Sequence, residues 1–531
     1  MAPRPERAPA TQGGRAVPGY KRMPHTGFTV DAFRYGLVDG CTGYFLTHFH
    51  SDHYGGLTKG FAGDIFCSRI TARCVVGRIG VDPGRVHALP MNTRCVVQGV
   101  FVTLLDANHC PGAAVILFEV PRDGRLVRIV HTGDFRATPE LVDQILRVFA
   151  VDTAHPVTPE TVAAAGAGCE GHTSPLIDYI YLDTTYLQPV YSFPRQSQVV
   201  QAVAEFSHCV HSDQAYLPAF LLRTARGGWS SRQSTPDRAS PGPTEPLRPA
   251  ATPSLITRWF QPRKRIAGGS SSSSDLWRRG RRVLFAVGSY TLGKERLFVE
   301  IALRLRSRVY VTEEKRRILG CIASPSLLAL LTDDMAEAQV HVVSMAQVNM
   351  QKMGEYLAAV RRSGGAGFSS VVAFKPTGWA QAGRGFAWRE QPPLEYPPEL
   401  SQARLDLACD GKGPDAAAAA LALEARLGSS GGCAFGIDSL RAHGSSPTVA
   451  IFPVPYSEHS SFSELAEFVC SLRAGQVVPT VPASDDKDRL ADSWLRHWQR
   501  LGAEFERRAA PAPAGQYPAL GLHVRALQHA A

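Results

Sequence analysis

The stretch Phe45-Leu-Thr-His48-Phe-His50-Ser-Asp52-His53-Tyr-Gly-Gly56 decides how the rest of the chain is read. It sets three imidazoles and a carboxylate within six positions, behind the apolar run Tyr44-Phe45-Leu46 and ahead of a glycine pair. The apolar run reads as the end of a buried strand, and Gly55-Gly56 permits a tight turn into a helix. On an extended or turn backbone His48 and His50 point the same way, and Asp52 and His53 come round on the following turn. Imidazole nitrogen and carboxylate oxygen are the ligands zinc prefers outside all-sulfur sites, and catalytic sites keep a position open for water. Four unrelated polar loop residues are the alternative. The pattern H-x-H-x-D-H after a strand fits two adjacent metals better.

Three later positions also follow apolar runs, where a loop would leave a sheet edge. They are His109 in Asp106-Ala-Asn-His109-Cys-Pro-Gly112, Asp134 in Ile129-Val-His-Thr-Gly-Asp134-Phe, and His459 in Tyr456-Ser-Glu-His459-Ser-Ser461. Singly, each fits a hydrogen-bonded loop residue; with the first cluster they complete a ligand set. That set divides into His48, His50 and His109 for one metal and Asp52, His53 and His459 for the other, with Asp134 bridging. Two metals about 3.5–4 Å apart clamp a phosphodiester and hold a shared water as hydroxide. One or two Zn2+ ions are the expected cofactor, with Asp52, Asp134, Asp183 and His459 as catalytic residues. Asp31 and Asp183 end strand-like runs and are candidates to orient histidine ring nitrogens from behind. For Asp31 a structural turn is the alternative.

The 531-residue chain is long enough for two or more domains, with 44% apolar and 20% charged residues. A formal charge of +10 and a pI of about 9.1 favour a polyanionic partner such as nucleic acid. Eleven scattered cysteines without a C-x-x-C pair exclude a zinc ribbon and do not resemble a secreted disulfide framework. There is no signal-peptide core and no run of 18 apolar residues, so the chain is expected to be soluble, intracellular and free of membrane spans.

Residues 1–26 are Pro-, Arg- and Gly-rich and are expected to be disordered. From there to about 135 short β-branched and aromatic runs alternate with turns, among them Cys95 to Leu105, Ala113 to Val120 and Leu126 to Val130. Pro121-Arg-Asp-Gly124 carries a hairpin signature. A strand from Leu176 to Asp183, helical spacing from Gln196, and alternating strands and helices from Val283 to Phe374 predict an α/β unit with a parallel sheet. The segments 150–175, 224–282 and 380–447 read as insertions, and 506–531 as a tail. The basic cluster Arg278, Arg279, Arg281 and Arg282 is an import signal, a nucleic-acid contact or a solvated linker. Gly288-Ser-Tyr-Thr-Leu-Gly293-Lys294 matches G-x-x-x-x-G-K, but Glu295 stands where a P-loop needs Ser or Thr, which excludes an NTPase. The loop is instead a phosphate cradle at a helix N-terminus or a capping turn.

Taken together, T-H-F-H-S-D-H-Y-G-G-L, A-N-H-C-P-G-A, H-T-G-D-F-R-A and Y-L-D-T-T-Y resemble the metallo-β-lactamase core of the DNA cross-link repair nucleases. G-S-Y-T-L-G-K-E, F-K-P-T-G-W and P-Y-S-E-H-S-S resemble the β-CASP insertion and the return to that core. The resemblance covers 27–222, 283–379 and 447–500. It implies an αββα sandwich (27–190 and 371–505) interrupted by an α/β β-CASP domain (191–370), with DNA bound in the cleft between them. It also implies zinc-dependent hydrolysis of DNA in the nucleus, from a 5′-phosphorylated end, during interstrand cross-link repair. DNA, single-stranded or at damaged ends, is the implied partner. Ser289, Tyr290, Lys294, Lys375, Ser460 and Ser461 are the candidate phosphate or DNA contacts. A hairpin- or overhang-opening endonuclease, an RNA-processing β-CASP nuclease and a thioester or lactone hydrolase are the alternatives. The last is disfavoured because its final histidine usually follows the bridging aspartate closely, whereas here the two stand 325 residues apart.

Overall fold

The computed structural model describes residues 16–150, 177–188, 191, 193–213, 215–226, 282–365, 367–378, 435–481 and 494–499. The tail at 506–531, the first fifteen residues and most of the three expected insertions lie outside them. The described residues form two compact units, one from those before 193 and from Glu458 onward, the other from those between Phe193 and Ser457.

In the first unit, short β-branched and aromatic runs make two sheets. The first is all parallel, in the order β1 (Phe28–Val30), β2 (Gly43–Phe45), β3 (Ile65–Ser68), β4 (Val86–Leu89). The second holds β5 (Cys95–Val97), β6 (Val100–Asp106), β7 (Ala114–Arg122), β8 (Arg125–His131) and β9 (Ile177–Leu182), with a late strand, Ala474–Pro479, beside β9. Strands β5 to β8 are antiparallel neighbours, and β8, β9 and the late strand are parallel. Alternate residues of each sheet face a shared core: Phe28, Val30, Phe45 and Phe66 meet Val102, Leu104, Ile116, Phe118, Val127 and Ile129. Phe45 is the hub, its ring 5.1 Å from Phe28, 5.2 Å from Phe66 and 5.0 Å from Phe118. Burying such a ring contributes roughly 1.5–3 kcal/mol, and it anchors the strand that delivers His48. Helix Arg69–Cys74 packs on β3 and β4, while Pro139–Ala150 packs against β6 and against helix Phe462–Leu472. The layering is helix, sheet, sheet, helix.

Two local readings are corrected. The run from Cys95 to Leu105 is not one strand, because Gln98 and Gly99 both take positive φ (50° and 83°) and turn it into the β5–β6 hairpin. The glycine pair does not open a helix either; the helix is Ser51–Tyr54, ahead of it. Gly56 (φ +95°) turns the chain away where a Cβ would sit 2.5 Å from Arg34 Cα.

The second unit is the α/β fold that its alternating periodicity predicts. Strands β10 (Arg282–Ser289), β11 (Val309–Tyr310), β12 (Leu331–Thr332), β13 (Val340–Ser344), β14 (Phe368–Pro376), β15 (Gly444–Ser445) and β16 (Val449–Val454) order as β12-β11-β13-β10-β14-β16-β15. All pairings are parallel except β15 with β16. Because β14 and β16 pair with each other and β14 pairs with β10, the chain does not return to the first unit at 371; it does so at Glu458. The range expected to be an insertion up to 447 likewise gives way to structure before its end, since Gly444–Ser445 form the sheet's edge strand.

His341 in β13 is fully buried, with Nε2 facing the Met335 and Ala338 carbonyls at 3.1 and 3.2 Å and Nδ1 2.9 Å from Tyr356 Oη. Carbonyls only accept, so Nε2 carries the proton and Nδ1 accepts from the tyrosine. Burial pushes its pKa down to about 4. Between the unfolded value near 6.5 and the folded one, the unfolded chain binds a proton that the folded chain refuses, so stability present above pH 6.5 is lost as pH falls. The loss between pH 7 and pH 5 is about 2 kcal/mol. His341→Gln is expected to shrink the pH 7-to-5 drop in urea-unfolding stability by about that amount; an unchanged drop would reject the assignment.

Candidate metal centre

The first unit brings together every residue of the expected ligand set. Thr47 and His48 follow β2, and His50 keeps an extended backbone (φ −105°, ψ 149°), so His48 and His50 share a face while Phe49 turns into the core. The single helical turn Ser51–Tyr54 then swings Asp52 and His53 round. His109 comes from the turn between β6 and β7, where Gly112 (φ +85°) reverses the chain, and Asp134 follows β8. His459 precedes helix Phe462–Leu472, whose capping box is Ser461 with Glu464.

The hydrogen bonds fix the tautomers. Thr47 Oγ1 donates to Asp31 Oδ2 (2.8 Å), so towards His48 Nδ1 (3.0 Å) it accepts, and His48 carries its proton on Nδ1. His109 Nδ1 donates to the Glu458 carbonyl (2.8 Å), His53 Nδ1 to Asp31 Oδ2 (2.7 Å) and His459 Nδ1 to Asp183 Oδ2 (2.8 Å). In the neutral rings all four Nε2 lone pairs then face one carboxylate oxygen. Asp134 Oδ2 lies 3.7 Å from His48, 3.2 Å from His53, 3.8 Å from His109 and 4.0 Å from His459. His50 Nδ1 sits 3.0 Å from His48 Nε2 and 3.1 Å from His109 Nε2.

Protons neutralise only part of this crowd. Burial first, then the neighbouring imidazoles, hold His48 well below its ordinary pKa, and burial with His459 takes His109 down to about 3. Burial alone would also lower His53, but Asp134 and Asp31 raise it well above the usual value. Asp134 is pushed up by burial, yet His53 and His459 hold it well below the carboxylate range. A divalent metal is the cation that fits. Tetrahedral zinc with bonds of 2.0–2.1 Å needs ligand atoms about 3.4 Å apart, and the spacings of His48, His50, His109 and Asp134 bracket that value.

The expected second set is assembled differently. Asp52 and His53 group with Asp134 (His53 Nε2 to Asp52 Oδ2, 3.7 Å), whereas His459 groups with Asp134 and Asp183. Asp134 is common to all three groupings. Asp31 takes Thr47 N (2.9 Å), Thr47 Oγ1 and His53 Nδ1 from an αL backbone (φ 52°), so it is both a turn residue and the group that orients His53. Asp183 has both oxygens engaged: Oδ1 by Thr185 N and Oγ1 (3.0 and 2.6 Å), Oδ2 by Phe135 N (3.3 Å) and His459. That suits orientation better than the catalytic role expected of it.

The expected DNA contacts fare worse. Ser460 is buried, its Oγ donating to Phe135 O (3.0 Å) and accepting from Ala137 N (2.9 Å). Ser461, also buried, is the helix N-cap, accepting from Glu464 N. In the second unit Ser289 Oγ donates to Gly293 O (2.8 Å) and accepts from Lys315 Nζ (3.0 Å). These three hydroxyls serve the fold. Lys294 is buried beneath aromatic rings, 5.2 Å from the centroid of Tyr290 and 5.3 Å from that of Tyr456. Only Tyr290 and Lys375 of the six stand exposed. The G-x-x-x-x-G-K loop is held by Lys315, whose ammonium also meets Tyr290 O, Thr291 O and Glu295 Oε1 at 2.9, 3.1 and 3.1 Å. Sequence reasoning missed Lys315, Thr47 and Arg136, and it reads His131, which adjoins the site residues in the chain, as facing away from them. His131 Nδ1 accepts the Gly133 N–H (3.1 Å) and so shapes the turn to Asp134. Its place two residues before that turn was the available signal.

A family model described as DNA repair metallo-beta-lactamase matches residues 325–485. The Arabidopsis thaliana DNA cross-link repair protein SNM1 is 30% identical over 491 residues, which cover 92% of this chain and 70% of that protein. The chain belongs to the DNA cross-link repair SNM1 family. The human family member, DNA cross-link repair 1A protein, is 30% identical over 486 residues, 91% of this chain but 32% of its own length. The chain thus spans about a third of the human protein and a like share of the mouse and chicken ones. The more distant 5′ exonuclease Apollo of Gallus gallus is 22% identical over 460 residues, covering 86% of this chain and 63% of that protein. The match lies mostly in the second unit and reaches the first from Glu458 onward, where His459 joins the His/Asp cluster.

Gly133 (φ +53°) has no room for a side chain, since a Cβ would lie 2.7 Å from that of Thr47, whereas Gly124 (φ +77°) faces open space. Gly133→Ala is expected to lose roughly 1–3 kcal/mol more stability than Gly124→Ala and to bind a divalent metal ion more weakly. Equal thermal midpoints for the two would show that the close approach to Thr47 carries no weight.

Proposed function

We propose that this member of the SNM1 family is a zinc-dependent DNA nuclease that hydrolyses phosphodiesters 5′-to-3′ from 5′-phosphorylated ends in interstrand cross-link repair. The carrying observation is the convergence of His48, His53, His109 and His459 on one oxygen of Asp134, with His50 and Asp52 alongside. Zinc bound there would polarise the scissile phosphate and supply a water nucleophile at neutral pH. His48, His50, His109 and Asp134 would hold one ion. Asp134, Asp52, His53 and His459 would hold a second, with Asp134 common to both. Asp31 and Asp183 keep His53 and His459 in the tautomer that presents Nε2.

Exposure gives the site a direction. The His48 side chain is 0% exposed and that of His109 3%, whereas His459 is 24% exposed and Asp52 73%. A substrate phosphate reaches the His459–Asp52 side, the part the buried histidines leave open. The family's cross-link repair names and the excess of 57 basic over 47 acidic residues support DNA as substrate and a nuclear location. The name of the Apollo relative supports exonuclease polarity. The second unit's parallel sheet, entering before Asp183's partner His459 in sequence, is the β-CASP domain in this reading.

Full-length protein loaded with zinc should shorten 5′-phosphorylated single-stranded DNA labelled at its 3′ end, one nucleotide at a time. It should leave a 5′-blocked hairpin intact; opening of that hairpin instead would favour a structure-specific endonuclease. Asp134→Asn should lower the rate at least about a hundredfold while the unfolding transition stays cooperative. Turnover near that of the unaltered chain would remove Asp134 from the mechanism.

A further inference from the structure

The two loops that bring Asp134 and His459 together are joined by a part-buried ion pair that the ligand set does not require. Arg136, two residues after Asp134, is 2% exposed, and its guanidinium grips Glu464 with both prongs: Nε to Oε2 at 2.8 Å and Nη2 to Oε1 at 2.9 Å. Glu464 Oε2 also accepts from Ser461 N (2.8 Å), so the carboxylate that caps helix Phe462–Leu472 is the anion that fixes the arginine. Ser460 extends the seam, its N–H meeting Phe135 O at 2.9 Å and its hydroxyl linking Phe135 O and Ala137 N. An ion pair with a buried arginine is a poor way to gain stability, because desolvating the charge offsets much of the attraction. A bidentate fork does fix the distance and plane of its two partners, which a lysine cannot do.

We propose that Arg136 and Glu464 are a positioning pair that sets His459 against Asp134 and so governs occupancy of the His459 side of the metal centre. The inference rests on the two-zinc reading above. His48 and His50 reach their places from β2 without this pair, and His109 comes from the β6–β7 turn, touching the His459 loop only through Nδ1 to Glu458 O (2.8 Å). Only the His459 loop hangs from the helix that Glu464 caps. Loosening the fork therefore frees His459 itself, by the sub-ångström to ångström shifts that matter at a metal site, while the buried trio loses at most one orienting contact, from His109 to Glu458 O, and keeps its ion.

The test uses the full chain and zinc titration followed by calorimetry, with Arg136→Lys, which keeps charge and loses the fork, and Glu464→Gln, which keeps shape and loses charge. Both variants should retain one tightly bound zinc and hold the second about tenfold or more weaker. In the hydrolysis assay kcat should drop with KM for DNA within about twofold. The urea midpoint of the metal-free variants reports whether either merely unfolds. Two equivalents bound as tightly as in the unaltered chain, or both weakened alike in step with the midpoint, would overturn the positioning role and leave the zinc reading standing. An unaltered chain that binds no zinc would take both away. The double variant Arg136→Met with Glu464→Leu, which fills the same space without charge, should be at least as stable as Glu464→Gln yet still hold the second zinc weakly; restored binding would also overturn the proposal.

Discussion

Lone pairs that face one another in a buried space repel unless a cation stands between them, and the first unit is built around that constraint. The proton of each of His48, His53, His109 and His459 is committed on Nδ1, to Thr47, Asp31, Glu458 O and Asp183 respectively. In the neutral rings their Nε2 atoms have nothing to offer Asp134 but electron density, and only His53 is favoured to take a second proton. The fold holds them there by devices remote from the centre: the Phe45 hub beneath β2, the forbidden Cβ at Gly133 and the capping box before Phe462. Burial keeps two of the rings from solving the problem by protonation, since the desolvation that hides His48 and His109 also disfavours their charged forms. The same burial that makes the site costly to assemble makes it selective for a metal ion over protons.

The outward gradient follows from the layering. Residues delivered by the strand ends, where the two sheets close on each other, are the most buried; those delivered by a free helical turn or by the last loop are the most open. His48 and His109 belong to the first kind, Asp52 and His459 to the second. Rigid donors at the back and accessible ones at the front are the arrangement a hydrolytic centre needs, because a substrate must share the site without displacing the groups that hold it.

Much of this was legible in the chain itself. H-x-H-x-D-H after an apolar run, and three further loop residues after apolar runs, named all seven residues that the fold brings together, because strand ends and turns leave strong local signatures. The alternation of strands and helices after Val283 announced a parallel sheet for the same reason. What escaped reading was decided by tertiary contact. Ser460 and Ser461 looked like free hydroxyls beside a histidine; one bridges Phe135 to Ala137, and the other caps a helix. Lys294 looked like a phosphate ligand, but the cation that the loop's oxygens surround is Lys315, twenty-one residues later. The hairpin at Gln98-Gly99 was hidden because both flanks are β-branched and the turn has no polar cluster. The return of the chain at Glu458 rather than 371 depends on which strands pair, which no local pattern carries.

The separation of Asp134 from His459 poses a question of chain entropy. They stand 325 residues apart, and a site whose halves are so distant looks expensive to close. Loop closure, however, grows only as the logarithm of length, about 0.6 kcal/mol for each doubling. A folded unit inserted in that loop costs less than its length suggests, because the chain within it is already ordered. What such a loop cannot supply is precision, since a long connection tolerates many end-to-end geometries. Precision has to come from contacts made where the ends meet, and those are the Ser460 bridge and the Arg136–Glu464 fork. On this argument the inserted unit was compatible with the metal centre from the outset, provided the seam beside it was polar, buried and directional rather than merely greasy.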